Sequence, residues 1–253
     1  MLPEIDLGPV TLQSFGLMLG LAFFASGLLA QRFLVELGHP ADWAYEMVFA
    51  ALVGGLVGAR LWSVIENWDE AKDDVLGSLF SGAGLVFYGG LIGGAIAVLA
   101  WAWRRGVLDL KTVDTAAVPL AAAYAIGRIG CQLAGDGDYG KNWDGPWAMA
   151  YPDGTVPTTE TVHPTPVYET LTMGLVAWFL WRRRHSMRPG GLFALYLVLA
   201  GAERFLVEFL RRNDRIAAGL TLPQFIALAM VAGGGIWLAR MRSAGGVPAP
   251  ARS

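Results

Sequence analysis

VDTAAVPLAAAYAIGRIGCQLAGDGDYG, Val113 to Gly140, begins as an apolar block and ends as an acidic, glycine-rich loop. The apolar part is Val113–Ala134, and a helix of roughly 20 such residues crosses about 30 Å of hydrocarbon. Comparable blocks occur along the chain at Val10–Ala30, Tyr45–Glu66, Gly82–Trp103, Pro166–Trp181, Leu192–Phe209 and Leu222–Ala239. The sequence therefore predicts an all-α polytopic membrane protein with about seven transmembrane helices.

The composition agrees with this fold class. The chain has 253 residues, of which 55% are hydrophobic and 16% charged, whereas soluble domains carry about 25% charged residues. No stretch between the blocks is long enough for a separate soluble domain, so we predict a single integral membrane domain over residues 1–253. Two loops on the outer side, 67–81 and 135–164, are candidate segments for contact with headgroups or substrate. One cysteine excludes an internal disulfide and a multi-cysteine metal site, and we expect no metal and no cofactor.

The basic residues predict the orientation. Threading the spans from an external N-terminus leaves most of the 19 Lys and Arg residues on one side: Arg32, Arg104, Arg105, Lys111, Arg182, Arg183, Arg184, Arg188, Arg240, Arg242 and Arg252. The opposite side receives Lys72, Lys141, Arg211, Arg212 and Arg215. Because loops rich in Lys and Arg remain cytoplasmic, the N-terminus is predicted outside and the C-terminus inside. No basic stripe faces an aqueous domain, so no nucleic-acid partner is expected.

Two glycine-rich segments lie within predicted spans, GGLVGA (Gly54–Ala59) and GGLIGG (Gly89–Gly94). Small residues at four-residue spacing let helix backbones approach closely in lipid. Close helix packing is the first interpretation, and close approach of a ligand is the second.

Charged residues inside the spans are the strongest functional signal. Arg128 lies within an apolar block, where a central arginine costs on the order of 2.5–3.5 kcal/mol on insertion scales. Arg204, Glu208 and Arg211 share one helical face at i, i+4 and i+7. The structural alternatives, which need no ligand, are snorkelling of the Arg128 side chain toward the headgroups and an Arg204–Glu208 ion pair that neutralises itself. Two arginines at the same membrane depth on different spans favour a phosphate clamp, since guanidinium groups bind phosphate oxygens in bidentate geometry.

Three further residues need an explanation. Glu169, in HPTPVYE (His163–Glu169), lies inside an apolar stretch and requires a partner, for which an arginine on another helix is the natural candidate. His163 is explained by a helix-entry turn or by a catalytic role. Arg60 is nearer the middle of its span, and structural and ligand-binding roles both remain open.

Six motifs together resemble the prolipoprotein diacylglyceryl transferase family. They occur in the family's order over nearly the whole chain, as GLM (Gly16–Met18), GARL (Gly58–Leu61), FYGGLIGG (Phe87–Gly94), GRIG (Gly127–Gly130), HPTPVYE (His163–Glu169) and RFLVEFLR (Arg204–Arg211). The resemblance implies a seven-helix enzyme of the bacterial cytoplasmic (inner) membrane with its active site toward the outer side. Such enzymes transfer the diacylglyceryl group of phosphatidylglycerol to the lipobox cysteine thiol of a preprotein and release glycerol phosphate.

The resemblance also implies roles for particular residues. Arg128 and Arg204 would hold the headgroup phosphate, and Glu169, Glu208 and Arg211 would orient and neutralise that site. We expect further contacts with substrate at Arg60, Gly89, Gly90, Cys131, Asp136 and Gly140. Asp136 corresponds to the family's acidic residue, and the DGDYG loop ending at Gly140 would bring backbone N–H groups to the glycerol.

Four positions depart from the family's pattern. Tyr88 replaces a histidine, Cys131 an asparagine, and Phe15 and Ala200 replace tyrosines. Tyr88 can still hydrogen-bond a phosphate, but a neutral phenol is a poor proton acceptor, so His163 is a substitute candidate for the base. Cys131 is either a small buried hydrophobe or a transient lipid acceptor.

These departures leave alternatives to transfer onto a lipobox cysteine. The same fold and phospholipid donor would serve a different acceptor, such as another protein, a glycan or a lipid. A non-catalytic lipid-binding or lipid-transport protein is the remaining class.

Overall fold

A computed structural model describes residues 1–6, 8–9, 11–72, 74, 77 and 86–243. Its helices are α1 (Ser14–Glu36), α2 (Trp43–Glu66), α3 (Trp68–Ala71), α4 (Phe87–Arg104), α5 (Leu110–Asp114), α6 (Ala117–Ala134), α7 (Thr165–Arg183), α8 (Gly191–Val207) and α9 (Leu222–Ser243). Two antiparallel hairpins complete it, β1 (Glu4–Asp6) with β2 (Thr11–Gln13), and β3 (Met149–Tyr151) with β4 (Thr158–Val162).

The predicted fold class, an all-α membrane protein, is confirmed. Four helices are long and apolar enough to cross a bilayer, namely Ser14–Glu36, Trp43–Glu66, Leu110–Ala134 and Leu222–Arg242. The other predicted spans overlap α4, α7 and α8, and residues 82–85 of the span predicted at Gly82–Trp103 lie outside the described part. α8 has 17 residues, or about 25 Å at 1.5 Å per residue, slightly less than the hydrocarbon thickness. The count of seven spans and the orientation of the termini stay predictions.

The described chain groups into two compact units. The first comprises Met1–Leu29 and the chain from Val113 onward, and the second is Ala30–Thr112. In the first unit α7 packs between α6 and α8, and α8 packs against α9. In the second unit α2 packs along α4. The single membrane domain predicted from the sequence stays a prediction.

The two glycine-rich segments pack α2 against α4, which confirms the first interpretation of their sequence. A Cβ placed on Gly58 would lie 2.8 Å from the Cα of Gly93. A Cβ on Gly93 would meet the Cα of Gly58 at the same distance. At this crossing the two backbones touch, and no larger side chain fits between them.

We expect Gly58→Ala to destabilise the protein by about 1–3 kcal/mol, because the added methyl group must separate the two helices. The matched control is Gly55→Ala, three residues earlier on α2, where the nearest atom to an added Cβ is the oxygen of Gly90 at 3.5 Å. That change should be neutral or slightly stabilising. Thermal unfolding midpoints of the two variants in detergent measure the difference, and equal midpoints would refute the close-packing account.

The predicted loops differ in how much of each can be described. Loop 67–81 begins with α3, and residues 73, 75–76 and 78–81 lie outside the described part. Loop 135–164 is described throughout. It leaves α6 at Gly135, which caps the helix in the left-handed conformation at φ 59°, and it contains the β3–β4 hairpin. The amide of Lys141 donates to the carbonyl of Leu210 at 2.7 Å, so this loop is fastened beside the end of α8.

Candidate active site

Glu169 is the centre of a buried ionic cluster. It lies on the first turns of α7 with a side chain that is 0% exposed. Its Oε1 accepts bonds from the hydroxyl of Tyr124 at 2.7 Å and from Nη1 of Arg204 at 3.1 Å. Its Oε2 is 3.2 Å from Nε of Arg128 and 3.4 Å from Nη1 of Arg211. Glu169 therefore has the cross-helix arginine partners that its position in an apolar stretch predicted.

A second carboxylate, Asp138, joins two of these arginines. One of its oxygens pairs with Nη1 of Arg128 and the other with Nη2 of Arg211. The loop holds it in place, since its amide donates to Asp136 at 3.2 Å and its carbonyl accepts from Thr165 Oγ1 at 2.6 Å. Asp138 was not among the site residues predicted from the sequence. The available signal was a second acid two residues after Asp136 in the same loop.

The third carboxylate is Glu208, just after the end of α8. Its Oε2 lies 2.7 Å from Nη2 of Arg204 and 3.8 Å from Nε of Arg211. Its Oε1 accepts hydrogen bonds from Thr221 Oγ1 at 2.8 Å and from Asn213 Nδ2 at 2.6 Å. The predicted pairing of Arg204 with Glu208 is present, but it is one part of a larger network rather than an isolated pair.

These residues form what we call the arginine cluster, in which three guanidinium groups alternate with three carboxylates: Arg128, Arg204, Arg211, Glu169, Glu208 and Asp138. The alternation reduces the cost of burying each charge. The side chain of Arg128 is 15% exposed and points at Glu169 and Asp138, so snorkelling toward headgroups does not explain it. Tyr124, one helical turn before Arg128 on α6, was also missed, although its i, i+4 spacing gave a signal.

The two loop carboxyls have opposite pKa shifts. Burial opposes ionisation of Asp138, but the charges of Arg128 and Arg211 outweigh it and hold its pKa below the usual value. Burial raises the pKa of Asp136, and the charge of Asp138 adds to that effect. Asp138 is thus fixed as an anion near neutral pH, whereas Asp136 binds a proton more readily than an ordinary aspartate. Environments that separate two carboxyls in this way are typical of acid–base sites.

The lowered pKa of Asp138 predicts a pH-dependent contribution to stability. Because its folded pKa lies below the unfolded value of about 3.9, the contribution is complete above that value and is lost as the pH falls through the folded pKa. The free energy of unfolding should therefore differ between the wild type and Asp138→Asn by a constant amount from pH 5 to 8, and this difference should shrink below about pH 4. Denaturant unfolding at a series of pH values measures it. A difference that grows toward acid pH would contradict the ion pairing.

Cys131 is buried beside the cluster, with its Sγ 3.6 Å from Nη1 of Arg128. Its Sγ and the carboxylate oxygens of Asp136 and Asp138 lie within 4.8 Å of one another, a spacing that a metal ion can bridge. Both oxygens of Asp138, however, already pair with guanidinium groups. The arrangement therefore fits a role in holding the arginines better than a metal centre.

His163 contacts aromatic groups. Its ring stacks on Trp143 with centroids 4.4 Å apart, and its Nδ1 lies 3.3 Å from the hydroxyl of Tyr168. That hydroxyl also accepts a bond from Nε1 of Trp147 at 2.7 Å. Partial burial lowers the pKa of His163, which increases the fraction of neutral imidazole able to accept a proton at neutral pH.

Gly140 closes the loop onto the cluster. Its amide donates to the carbonyl of His163 at 2.8 Å, and its contact with the glycerol stays a prediction. A Cβ at this position would lie 2.6 Å from the carbonyl oxygen of Leu210. A glycine is needed at position 140 because the loop passes close to the end of α8. This close approach places Asp138 against Arg211.

The remaining predicted residues lie in the second unit. Arg60 is on α2, and Tyr88, Gly89 and Gly90 are in the first turn of α4. The amide of Val86, just before α4, donates to Ala59 at 3.4 Å and so joins the start of α4 to α2. The contacts of these four residues with substrate stay predictions.

Comparison with known proteins agrees with this geometry. Residues 4–240 match the family described as prolipoprotein diacylglyceryl transferase. Three relatives named phosphatidylglycerol–prolipoprotein diacylglyceryl transferase are each 32% identical to the chain. The Clostridium tetani protein aligns over 88% of this chain and 90% of its own length. For the Bordetella avium protein the shares are 92% and 93%, and for the Methylococcus capsulatus protein 93% and 93%. With the ionic residues of three matched motifs gathered around Glu169, the chain belongs to the prolipoprotein diacylglyceryl transferase family.

Proposed function

We propose that this protein transfers the diacylglyceryl group of phosphatidylglycerol to the lipobox cysteine thiol of a prolipoprotein and releases glycerol phosphate. The observation that carries the proposal is the convergence of Arg128, Arg204 and Arg211 on one buried carboxylate, Glu169. The family membership and the names of the relatives support the same reaction.

The proposed chemistry needs cations fixed in advance. The thiolate sulfur attacks the carbon of the diacylglycerol unit that is esterified to the phosphate. An S–C bond forms, and the C–O bond between that carbon and the phosphate oxygen breaks. The departing glycerol phosphate gains negative charge, and donors already oriented toward developing charge are usually the largest catalytic effect. Each guanidinium carries five N–H donors, so Arg128 and Arg204 can bind their carboxylates and still donate to phosphate oxygens. The three carboxylates orient the arginines through direct ion pairs.

The proton of the thiol requires an acceptor. We assign His163 as the candidate base, supported by its lowered pKa, and Tyr88 as a further contact with the phosphate. We assign Asp136 and Gly140 to the loop beside the glycerol, and Cys131 to a packing position behind Arg128. On the family resemblance we also propose that Arg60, Gly89 and Gly90 contact the lipid.

We further propose that the enzyme spans the bacterial inner membrane seven times with the arginine cluster toward the outer side. Glu169 is near the start of α7, whereas Arg182 and Arg183 are at its end. Because basic residues favour the cytoplasmic side, this polarity supports an outward-facing site. Such a site meets secreted preproteins after their export and phospholipid from the bilayer.

The test is incubation of the purified protein with phosphatidylglycerol and a lipobox peptide, followed by mass spectrometry of the peptide and of the released phosphate ester. We expect a thioether-linked diacylglyceryl adduct and glycerol phosphate in equal amounts, and neither product with a peptide whose cysteine is replaced by serine. Glycerol phosphate release without a peptide adduct would overturn the proposed acceptor. No consumption of phosphatidylglycerol would overturn the transferase itself.

A further inference from the structure

A cavity lies at the opposite ends of the helices that carry the arginine cluster. It has a volume of about 620 Å³ and is bounded by the end of α7, the start of α8 and the end of α9. Polar and apolar residues both line it, including Phe179, Arg183, Ser186, Arg188, Leu238 and Arg242. None of these residues belongs to the site proposed for diacylglyceryl transfer.

The two sites are separated by most of the hydrocarbon thickness. Glu169 and Arg183 are both on α7, and their separation along the helix axis is about 21 Å at 1.5 Å per residue. The hydrocarbon core is about 30 Å thick. A lipid whose headgroup enters this cavity would therefore belong to the leaflet opposite the arginine cluster.

Three arginines give this cavity an excess of positive charge. Within the described residues no carboxylate pairs with Arg183, Arg188 or Arg242. The stretch RRRHSMRPGG (Arg182–Gly191) contains no acid, and neither does α9. The carboxylate of Asp114 is bound at the start of α8, where it accepts from the amides of Gly190 and Phe193 at 2.7 and 2.8 Å, but it does not line the cavity. The three arginines of this cavity thus differ from the arginine cluster around Glu169, where three carboxylates balance three guanidinium groups.

Two of these side chains are held in place. Arg188 donates from Nη1 to the carbonyl of Met241 at 2.8 Å, which joins the start of α8 to the end of α9. The guanidinium of Arg183 lies over the ring of Phe179 at 5.3 Å. Such fixed guanidinium groups lose less freedom when they bind a phosphate.

Apolar residues of the cavity lie nearer the middles of their helices than the arginines do: Phe179 and Leu238 are one helical turn before Arg183 and Arg242, and Leu195 is about two turns after Arg188. Arginines at the mouth of a cavity whose inner part is apolar match an anionic lipid: the arginines suit the headgroup, and the apolar residues suit its acyl chains. A free phosphate ion would contact only the arginines and would gain no binding free energy from the apolar residues. We propose that this cavity binds an anionic glycerophospholipid from the leaflet opposite the transfer site, with Arg183, Arg188 and Arg242 around its phosphate.

The experiment counts the phosphatidylglycerol molecules that remain bound to the purified protein in native mass spectrometry. The test variant is Arg188→Gln combined with Arg242→Gln. The matched control is Arg182→Gln, since Arg182 is at the same end of α7 but stacks on Trp178 at 5.4 Å and does not line the cavity. We expect the double variant to lose one bound lipid, with affinity reduced about tenfold or more, and the control to retain it.

The two sites can be tested apart from each other. The Arg204→Lys variant should still bind lipid in the cavity between α7, α8 and α9, whether or not the protein proves to be a transferase. Excess inorganic phosphate should leave that lipid in place, and its displacement would instead identify a free-phosphate site. A single Arg242→Gln change, at an exposed position, gives the same test if the double variant folds poorly. Equal lipid counts in Arg242→Gln and Arg182→Gln would overturn the proposal.

Discussion

Replacing Arg128 with lysine is expected to lower kcat/KM for diacylglyceryl transfer by roughly 100-fold or more, the loss typical of removing one preorganised donor. Arg128 reaches Glu169 through Nε and Asp138 through Nη1 at the same time. Lysine keeps the charge but has a single nitrogen and cannot hold this geometry. Arg204→Lys should show a comparable loss, because Arg204 joins Glu169 and Glu208 through its two Nη atoms.

The matched control is Arg212→Lys. Arg212 donates to the carbonyl of Gly140 at 2.9 Å and to Asn142 at 2.6 Å, so it contacts the same loop without joining the arginine cluster. Its replacement should change the rate by only a few-fold. The assay is the rate of peptide modification at several phosphatidylglycerol concentrations. If Arg128→Lys and Arg212→Lys were equally active, the guanidinium geometry would have no part in catalysis.

Replacing Glu169 with glutamine is expected to reduce the free energy of unfolding by about 3–5 kcal/mol, because it leaves buried arginines without their shared counter-ion. Glu169 is 0% exposed and contacts Arg128, Arg204 and Arg211 together. The neutral amide can accept hydrogen bonds, but it does not offset the repulsion among three cations.

Glu160→Gln provides the comparison for Glu169→Gln. Glu160 pairs with Arg212 at 3.7 Å, and the two side chains are 62% and 38% exposed. Exposed pairs contribute about 0–1 kcal/mol, so this variant should unfold almost as the wild type does. Denaturant unfolding in detergent compares the two. Similar losses in both variants would show that Glu169 does not balance the buried arginines.

Much of the site was predictable because charges inside apolar spans require partners. Glu169 and Arg204 could be recognised from the sequence for this reason, and the structure pairs them across α7 and α8. The glycine contacts between α2 and α4 were predictable because only small residues allow backbones to touch in lipid. In both cases the apolar environment leaves few alternatives.

Other features could not be predicted, since a polar loop has many ways to satisfy its groups. Asp138 joins the cluster because loop 135–164 folds back to α8 through Lys141 and Gly140. Neither contact follows from local sequence, and the short strands β3 and β4 have no alternating pattern. The predicted span Val113–Ala134 lies within the apolar stretch Leu110–Ala134, but the structure divides this stretch into α5 and α6, with a break between Asp114 and Ala117. Pro119 fits this division, since a residue without an N–H is favoured in the first turn of a helix.

The most direct measurement is an experimental structure with bound phosphatidylglycerol, from which the distances between the guanidinium nitrogens and the phosphate oxygens can be read. We predict that Arg128 and Arg204 each place a nitrogen within about 3 Å of an oxygen of the same phosphate, while both remain paired with Glu169. A lipid phosphate bound elsewhere, with neither guanidinium in contact, would contradict the account.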